Sequence, residues 1–302
     1  MKKLIIVAIA AIFMLTACEE GMNYKSHNAG YYPYLEFSVD HDTKKTYVTI
    51  VEEVEDAIIP VTYNGYPTKL LGVLDASVKG PEVSESIKNS IKSISLGKEY
   101  FNSMYGDPSI SHWENLEHIN LLDGVELIRN QFFMSWNHLK SFTMSDSVKK
   151  IGNAVFSFCS SLEKVTIGNG LKNITMAAFS NCYSLKEVTF GNNVEVIDMS
   201  AFSDCYSLTR IELPESLKLI AGAAFYNCKS LEEIVIPNSV TRIELGAFVN
   251  CDSLKSISLP AGTYNLEHIL GKTSGQWSVN GEIIQDFTNF VATDRKLLTK
   301  IQ

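Results

Sequence analysis

From Phe133 to Leu259 the apolar positions recur with a single period, about 23 residues, without insertion or deletion. Phe133, Phe156, Phe179, Phe202, Phe225 and Phe248 set the beat. Three residues after each stands Trp136, Cys159, Cys182, Cys205, Cys228 or Cys251, and six after each stands Leu139, Leu162, Leu185, Leu208, Leu231 or Leu254. From each leucine the chain reads Leu-x-x-apolar-x-apolar, as in Leu162-Glu-Lys-Val165-Thr-Ile167, whose last three residues alternate as a strand does. A second apolar pair follows at a spacing of three, as in Val148/Ile151, Leu171/Ile174, Val194/Ile197, Leu217/Ile220 and Val240/Ile243. A unit this short cannot bury so many apolar side chains alone, so it must stack on its neighbours, which is how a solenoid is written in sequence. Pro214, Pro237 and Pro260 stand just past three consecutive strands and turn the chain.

The phrases AAFSNCYSLKEVTF, AFYNCKSLEEIVIP and AFVNCDSLKSISLP resemble the BspA-like leucine-rich-repeat family of bacterial surface proteins. The resemblance covers Ile91 to Pro260 and implies a curved, right-handed leucine-rich-repeat solenoid. Each turn of about 23 residues would give one short parallel strand, with short helical or irregular segments on the other side and β-rich caps at both ends. The asparagine that follows the strand in the more familiar leucine-rich repeat does not recur from unit to unit, so no buried asparagine ladder is expected.

Degenerate units precede the regular ones. Leu116-Glu-His-Ile119-Asn-Leu121 stands one period before Leu139, with Ile110 and Trp113 in the phenylalanine and cysteine positions. Ile91-Lys-Ser-Ile94-Ser-Leu96 stands 25 before Leu116, which predicts a two-residue bulge within Tyr100 to Pro108 and a row of eight strands in all. Residues 34–39 and 47–51 alternate around the turn Asp40-His-Asp-Thr-Lys-Lys45 and read as a hairpin, and Asn64-Gly65 marks a second turn. After Pro260 the repeat fails, and Asn280-Gly281 between apolar flanks predicts another hairpin covering the last turn. The expected organisation is therefore an N-terminal β cap over 34–80, the solenoid over 81–260 and a C-terminal cap over 261–302.

The chain opens with Lys2 and Lys3, a run of twelve apolar or small residues from Leu4 to Leu15, and Leu15-Thr16-Ala17-Cys18. That reads as a signal peptide over 1–17, too short for a transmembrane helix of about 20 residues. Its ending resembles the bacterial lipobox, which implies lipidation of Cys18 and a polar tether over 18–33. Glu19-Glu20 resembles a tag that carries some lipoproteins to the outer face of the outer membrane, and equally suits a solvated tether. The expected location is extracytoplasmic, on the outer membrane and at the cell surface.

Removing Lys2 and Lys3 with the leader takes the formal charge from −8 to −10, which argues against nucleic acid as a partner. The six histidines form no HExxH, no Gly-x-Ser-x-Gly follows a strand, and Gly271-Lys272-Thr273 lacks the phosphate-loop glycine because Leu266 occupies its place. No enzyme activity, cofactor or metal is expected. The five repeat cysteines are odd in number, share a slot with Trp136, and read as a buried thiol column.

Exposed strand positions can be read as columns. Glu117, Lys140, Glu163, Lys186, Thr209, Glu232 and Lys255 form one, and His118, Ser141, Lys164, Glu187, Arg210, Glu233 and Ser256 the next. Opposite charges alternate along both, so the face is expected to neutralise itself, each pair contributing well under about 1 kcal/mol. Lys164, Glu187, Arg210 and Glu233 are nevertheless candidates for contact with a protein. Tyr183, Tyr206 and nearby Tyr226 are the aromatic candidates, since exposed tyrosines concentrate binding energy.

These features describe a lipid-anchored surface scaffold that binds another macromolecule, a host or envelope protein, without catalysis. The resemblance implies an adhesin, since such families include adhesins for host extracellular-matrix proteins. An accessory glycan-binding lipoprotein, which would need an exposed aromatic platform, and a periplasmic structural protein are the alternatives.

Overall fold

The computed structural model describes residues 90–96, 114–271 and 275–301, together with the backbone of six strands between residues 25 and 70. Its centre is a parallel solenoid. Ser93–Leu96, His118–Leu121, Ser141–Thr143, Lys164–Thr166 and Glu187–Thr189 pair side by side, and Glu233–Val235 with Ser256–Leu259 continue the row further on. Pairing advances by one repeat period per turn, as in Val165 against Val188, and by two more where Ile94 meets Ile119. The bulge expected in residues 100–108 lies outside the described residues.

One of the eight expected strands is missing. Ile211 to Leu213 forms no strand, and only Arg210 bridges forward to Glu233. The preceding turn ends on Phe190, where the turn before it has Ile167. This larger ring reaches the next turn and meets Phe202 edge-on at 6.0 Å.

The spacing-three pairs form a second row of two-residue strands: Leu127–Ile128 with Lys150–Ile151, then Asn173–Ile174, Val196–Ile197, Leu219–Ile220 and Arg242–Ile243 in one sheet. A third side closes each turn without helix. Here the backbone turns every two residues: Ala178 N–H donates to Thr175 O and Ser180 N–H to Ala177 O, both at 3.1 Å. The intervening Ala177, Phe179 and Asn181 donate to Met199, Ala201 and Ser203 of the next turn at 2.8 to 2.9 Å. This alternation requires two left-handed residues per turn, four apart, such as Ala177 (φ 54) and Asn181 (φ 60). Outside glycine that conformation costs about 1–2 kcal/mol, which the ladder must offset.

The core is filled by columns. The six phenylalanine rings are buried and stack at 5.0 to 5.5 Å, within 8° of parallel. Each cysteine is buried beside them and its thiol donates to the phenylalanine carbonyl of the turn before, from Cys159 to Phe133 O at 3.0 Å to Cys251 to Phe225 O at 3.2 Å. A small apolar group with one donor fits this slot. Trp136 fills it at the first turn, edge-on to Phe133 at 4.8 Å.

The stack would leave open ladders at its end, and the C-terminal residues close them. Lys296–Lys300 pairs antiparallel with Ser256–Leu259, and Trp277–Val279 adds to it and turns at Asn280-Gly281, both left-handed, into Glu282–Ile283. A one-turn helix, Leu266–Leu270, takes Gly246 N–H at His268 O and Phe248 N–H at Ile269 O. Arg295 donates to Ile236 O, Ser258 Oγ and Asn238 Oδ1 at 2.6 to 3.1 Å. At the other end, Asp56–Ile58 joins Ser93–Leu96 in parallel, Leu35–Asp40 pairs antiparallel with Lys45–Ile50, and Tyr63 meets Tyr66 across Asn64-Gly65.

Candidate protein-binding surface

The front row presents its charges in pairs between turns. Lys140 meets Glu117 at 2.5 Å, Lys186 meets Glu163 at 2.9 Å and Lys255 meets Glu232 at 2.8 Å. Among the residues singled out from sequence, Lys164 pairs with Glu187 at 2.6 Å and Arg210 with Glu233. The partner cation is the largest influence holding the Glu117, Glu163 and Glu232 carboxyls below the usual carboxylate range. His118 Nδ1 and Ser141 Oγ, 2.7 Å apart, continue the second column upward. The face is therefore a lattice of closed ion pairs, which adds register and solubility at little net energy per pair.

The tyrosines lie where the left-handed turns meet the front row. The Tyr183 and Tyr206 rings stack at 5.1 Å and 19°, and each is 36% exposed. Tyr183 Oη donates to Asn181 Oδ1 and Tyr206 Oη to Asp204 Oδ1, both at 3.3 Å, so each ring lies along the side chain two residues before it. Lys229 Nζ sits 5.1 Å over the Tyr206 ring and ends the stack on that side. Partial desolvation, then the Asp204 charge, raises the Tyr206 phenol. Tyr226 stands apart in another column, where its hydroxyl accepts from Asn250 Nδ2 at 3.0 Å. Cys18 lies outside the described residues.

One member of this surface was not singled out from sequence. Phe158 is 43% exposed and left-handed (φ 63), in the column otherwise held by Ser135, Asn181, Asp204, Asn227 and Asn250. Asparagine and aspartate tolerate that conformation, whereas a bulky residue there is an outlier. The run Asn181, Asp204, Asn227 and Asn250, two residues after four of the six phenylalanines, was the available signal, and Phe158 breaks it.

The thiol column offers no reactive group. Burial pushes the Cys159 and Cys251 thiols up to about 12 and the three between them well above their ordinary range. The nucleophile and metal ligand is the thiolate, which such a site suppresses.

Six copies of the BspA type leucine rich repeat region match the chain, over residues 104–230 and 172–271. The chain belongs to the BspA-type leucine-rich-repeat family. Leucine-rich-repeat proteins generally mediate protein–protein interactions, and repeats of the BspA type are typical of surface binding proteins. Among solved structures, the chain is similar to a T. pallidum leucine-rich-repeat protein (20% identity, 74% of this chain and 78% of that one, TM-score 0.45). A Bacteroides ovatus protein matches at 24% identity over 67% of this chain and 60% of that one, TM-score 0.46. A Eubacterium ventriosum protein matches at 21% over 70% and 48%, TM-score 0.46. The chain thus spans less than two thirds of the last two proteins. No curated protein matches it.

Proposed function

We propose that this BspA-type chain is a lipid-anchored scaffold that holds its solenoid outside the cytoplasm and binds another macromolecule without chemistry. Support for the anchor comes from the lipobox-like Leu15-Thr16-Ala17-Cys18 and the polar segment that follows. Residues 18–33 serve as tether, 34–80 and 261–302 as caps, and 81–260 as the recognition body.

The single observation that carries the binding surface is the contrast between two faces of each turn. The front row uses its charges on itself, while the neighbouring edge exposes Tyr183, Tyr206 and Phe158. Aromatic anchors that expose area at low entropic cost suit an interface better than rim ion pairs do. The partner is a macromolecule met at the cell surface, an extracellular-matrix or envelope protein.

The test is adherence of cells carrying the chain to wells coated with fibronectin, laminin or collagen. Tyr183→Ala/Tyr206→Ala should lower adherence at unchanged surface amount, and Lys164→Ala/Glu187→Ala should not. Equal adherence of both variants would remove the tyrosine edge from the account.

A further inference from the structure

The phenylalanine and cysteine columns end in a pocket. Gly271 stands one period after Phe248 and brings no ring, while Trp277 stands one period after Leu254 and is buried. A cavity of about 40 Å³ remains there, lined by Cys251, Leu270 and Trp277 among the apolar residues and by Asn250, Asp252 and Lys300 among the polar ones. A single water needs about 10–15 Å³ of such space, so the pocket takes about three heavy atoms in its depth and more at its mouth.

Four polar groups of these lining residues have no partner among the described residues. Trp277 Nε1–H is shielded from solvent and donates to nothing, which is costly for a buried donor. The second is the backbone N–H of Asn250. In each earlier turn the residue of that column, from Ser135 to Asn227, donates its N–H to the next turn at 2.8 to 2.9 Å, and Asn250 keeps the same left-handed conformation (φ 61) with no carbonyl ahead of it. Lys300 Nζ and the Asp252 carboxylate are the third and fourth: both line the pocket, and neither makes an ion pair. The Lys300 stem lies against Gly275, where an added Cβ would meet its Cε at 3.1 Å.

These groups restrict what fits. Two N–H donors and an ammonium together call for a negatively charged acceptor with more than one oxygen, and a carboxylate is three heavy atoms. Asp252, exposed at the mouth, calls for a cation beside that anion. A simple anion or a simple amine answers half of the site, and a neutral ligand answers neither charge. A small zwitterion answers both.

We propose that this pocket binds a free α-amino acid with a small side chain, of the size of glycine or alanine. Its carboxylate accepts from Trp277 Nε1–H, Asn250 N–H and Lys300 Nζ, and its ammonium donates to Asp252 at the mouth. The site lies at the junction of the last turn with the C-terminal cap and goes beyond the reading of the tyrosine edge.

The experiment titrates the full chain, purified in detergent, with glycine, alanine and serine by isothermal calorimetry, and with acetate and methylammonium as probes carrying one charge each. At least one of the three amino acids should bind and raise the thermal midpoint, and the single-charge probes should bind about tenfold or more weakly than it. Lys300→Met and Asp252→Asn should each weaken binding about tenfold or more while leaving the midpoint without ligand nearly unchanged, since neither group is paired. Trp277→Phe, which keeps a ring and removes the donor, should weaken it several-fold. Absence of heat and of a midpoint shift with all three amino acids would mean that the pocket holds ordered water only, and would overturn the proposal. Acetate binding as tightly as glycine would overturn the zwitterion, and Lys300→Met and Asp252→Asn binding as well as wild type would remove the site from this pocket. Tyr183→Ala/Tyr206→Ala should bind the amino acid as wild type does, so failure here and failure of the tyrosine edge are told apart.

Discussion

The thiol column makes the fold sensitive to alkali. Cys159 and Cys251 have thiols pushed from an ordinary value near 9 up to about 12 by burial, so the folded state holds their protons where the unfolded chain releases them. A folded-state value raised above the unfolded one gives stability that is complete below pH 9 and falls as pH rises toward 12. At pH 10 the unfolded thiol is mostly ionised and the folded one is not, a loss of about 1.4 kcal/mol per cysteine and roughly 3 kcal/mol for these two. Cys182, Cys205 and Cys228, shifted in the same direction, add to it. Against a total stability of about 5–15 kcal/mol for a typical protein, that is a large fraction. Urea unfolding followed by circular dichroism, in reductant at pH 7.5, 9 and 10, should show the midpoint falling steeply above pH 9. A Cys159→Ala/Cys251→Ala variant, less stable at pH 7.5 from lost packing, should show a shallower fall, since it keeps every surface Lys–Glu pair but has two fewer titrating thiols. An identical alkaline slope in variant and wild type would refute the burial argument.

Three further outcomes follow from particular contacts. Arg295→Ala removes the donors to Ile236 O, Ser258 Oγ and Asn238 Oδ1. It should cost about 1.5–3 kcal/mol and speed amide exchange in the last turn, with little change before residue 200, as hydrogen-exchange mass spectrometry can resolve. Gly168→Ala would place a Cβ 2.4 Å from Ser145 O, a backbone atom that cannot swing aside, so a loss of about 1–3 kcal/mol is expected in denaturant midpoints. A double-mutant cycle on Lys164 and Glu187 should give about 0.2–1 kcal/mol at low salt and less at 1 M, the signature of an exposed pair.

The repeat was legible because its signals are single residues at a fixed spacing: Phe179, Cys182 and Leu185 each sit on the core face, and any slip would expose them. The charge columns were legible for the same reason, since an offset of one repeat places Lys164 beside Glu187. The left-handed ladder was not, because Ala154, Ala177 and Ala223 adopt positive φ while carrying no turn preference of their own. Their conformation is imposed by the adjacent turn. Arg295 closing the loop after Ile236, far back in the chain, is likewise a consequence of the stack ending there rather than of any local pattern. For the tyrosine edge, Tyr183 and Tyr206 were legible one repeat apart, but the stacking of their rings and the exposure of Phe158 appear only when turns are laid against one another.

The claim on which the functional account depends is that the solenoid is displayed outside the cell by a lipid on Cys18. Its most direct test is an epitope placed after Gln302, with protease added to intact cells and Cys18→Ala and lysed cells as controls. The account predicts cleavage on intact cells that depends on Cys18. Protection on intact cells with cleavage only after lysis would contradict it, and would direct the search for partners to the interior of the envelope.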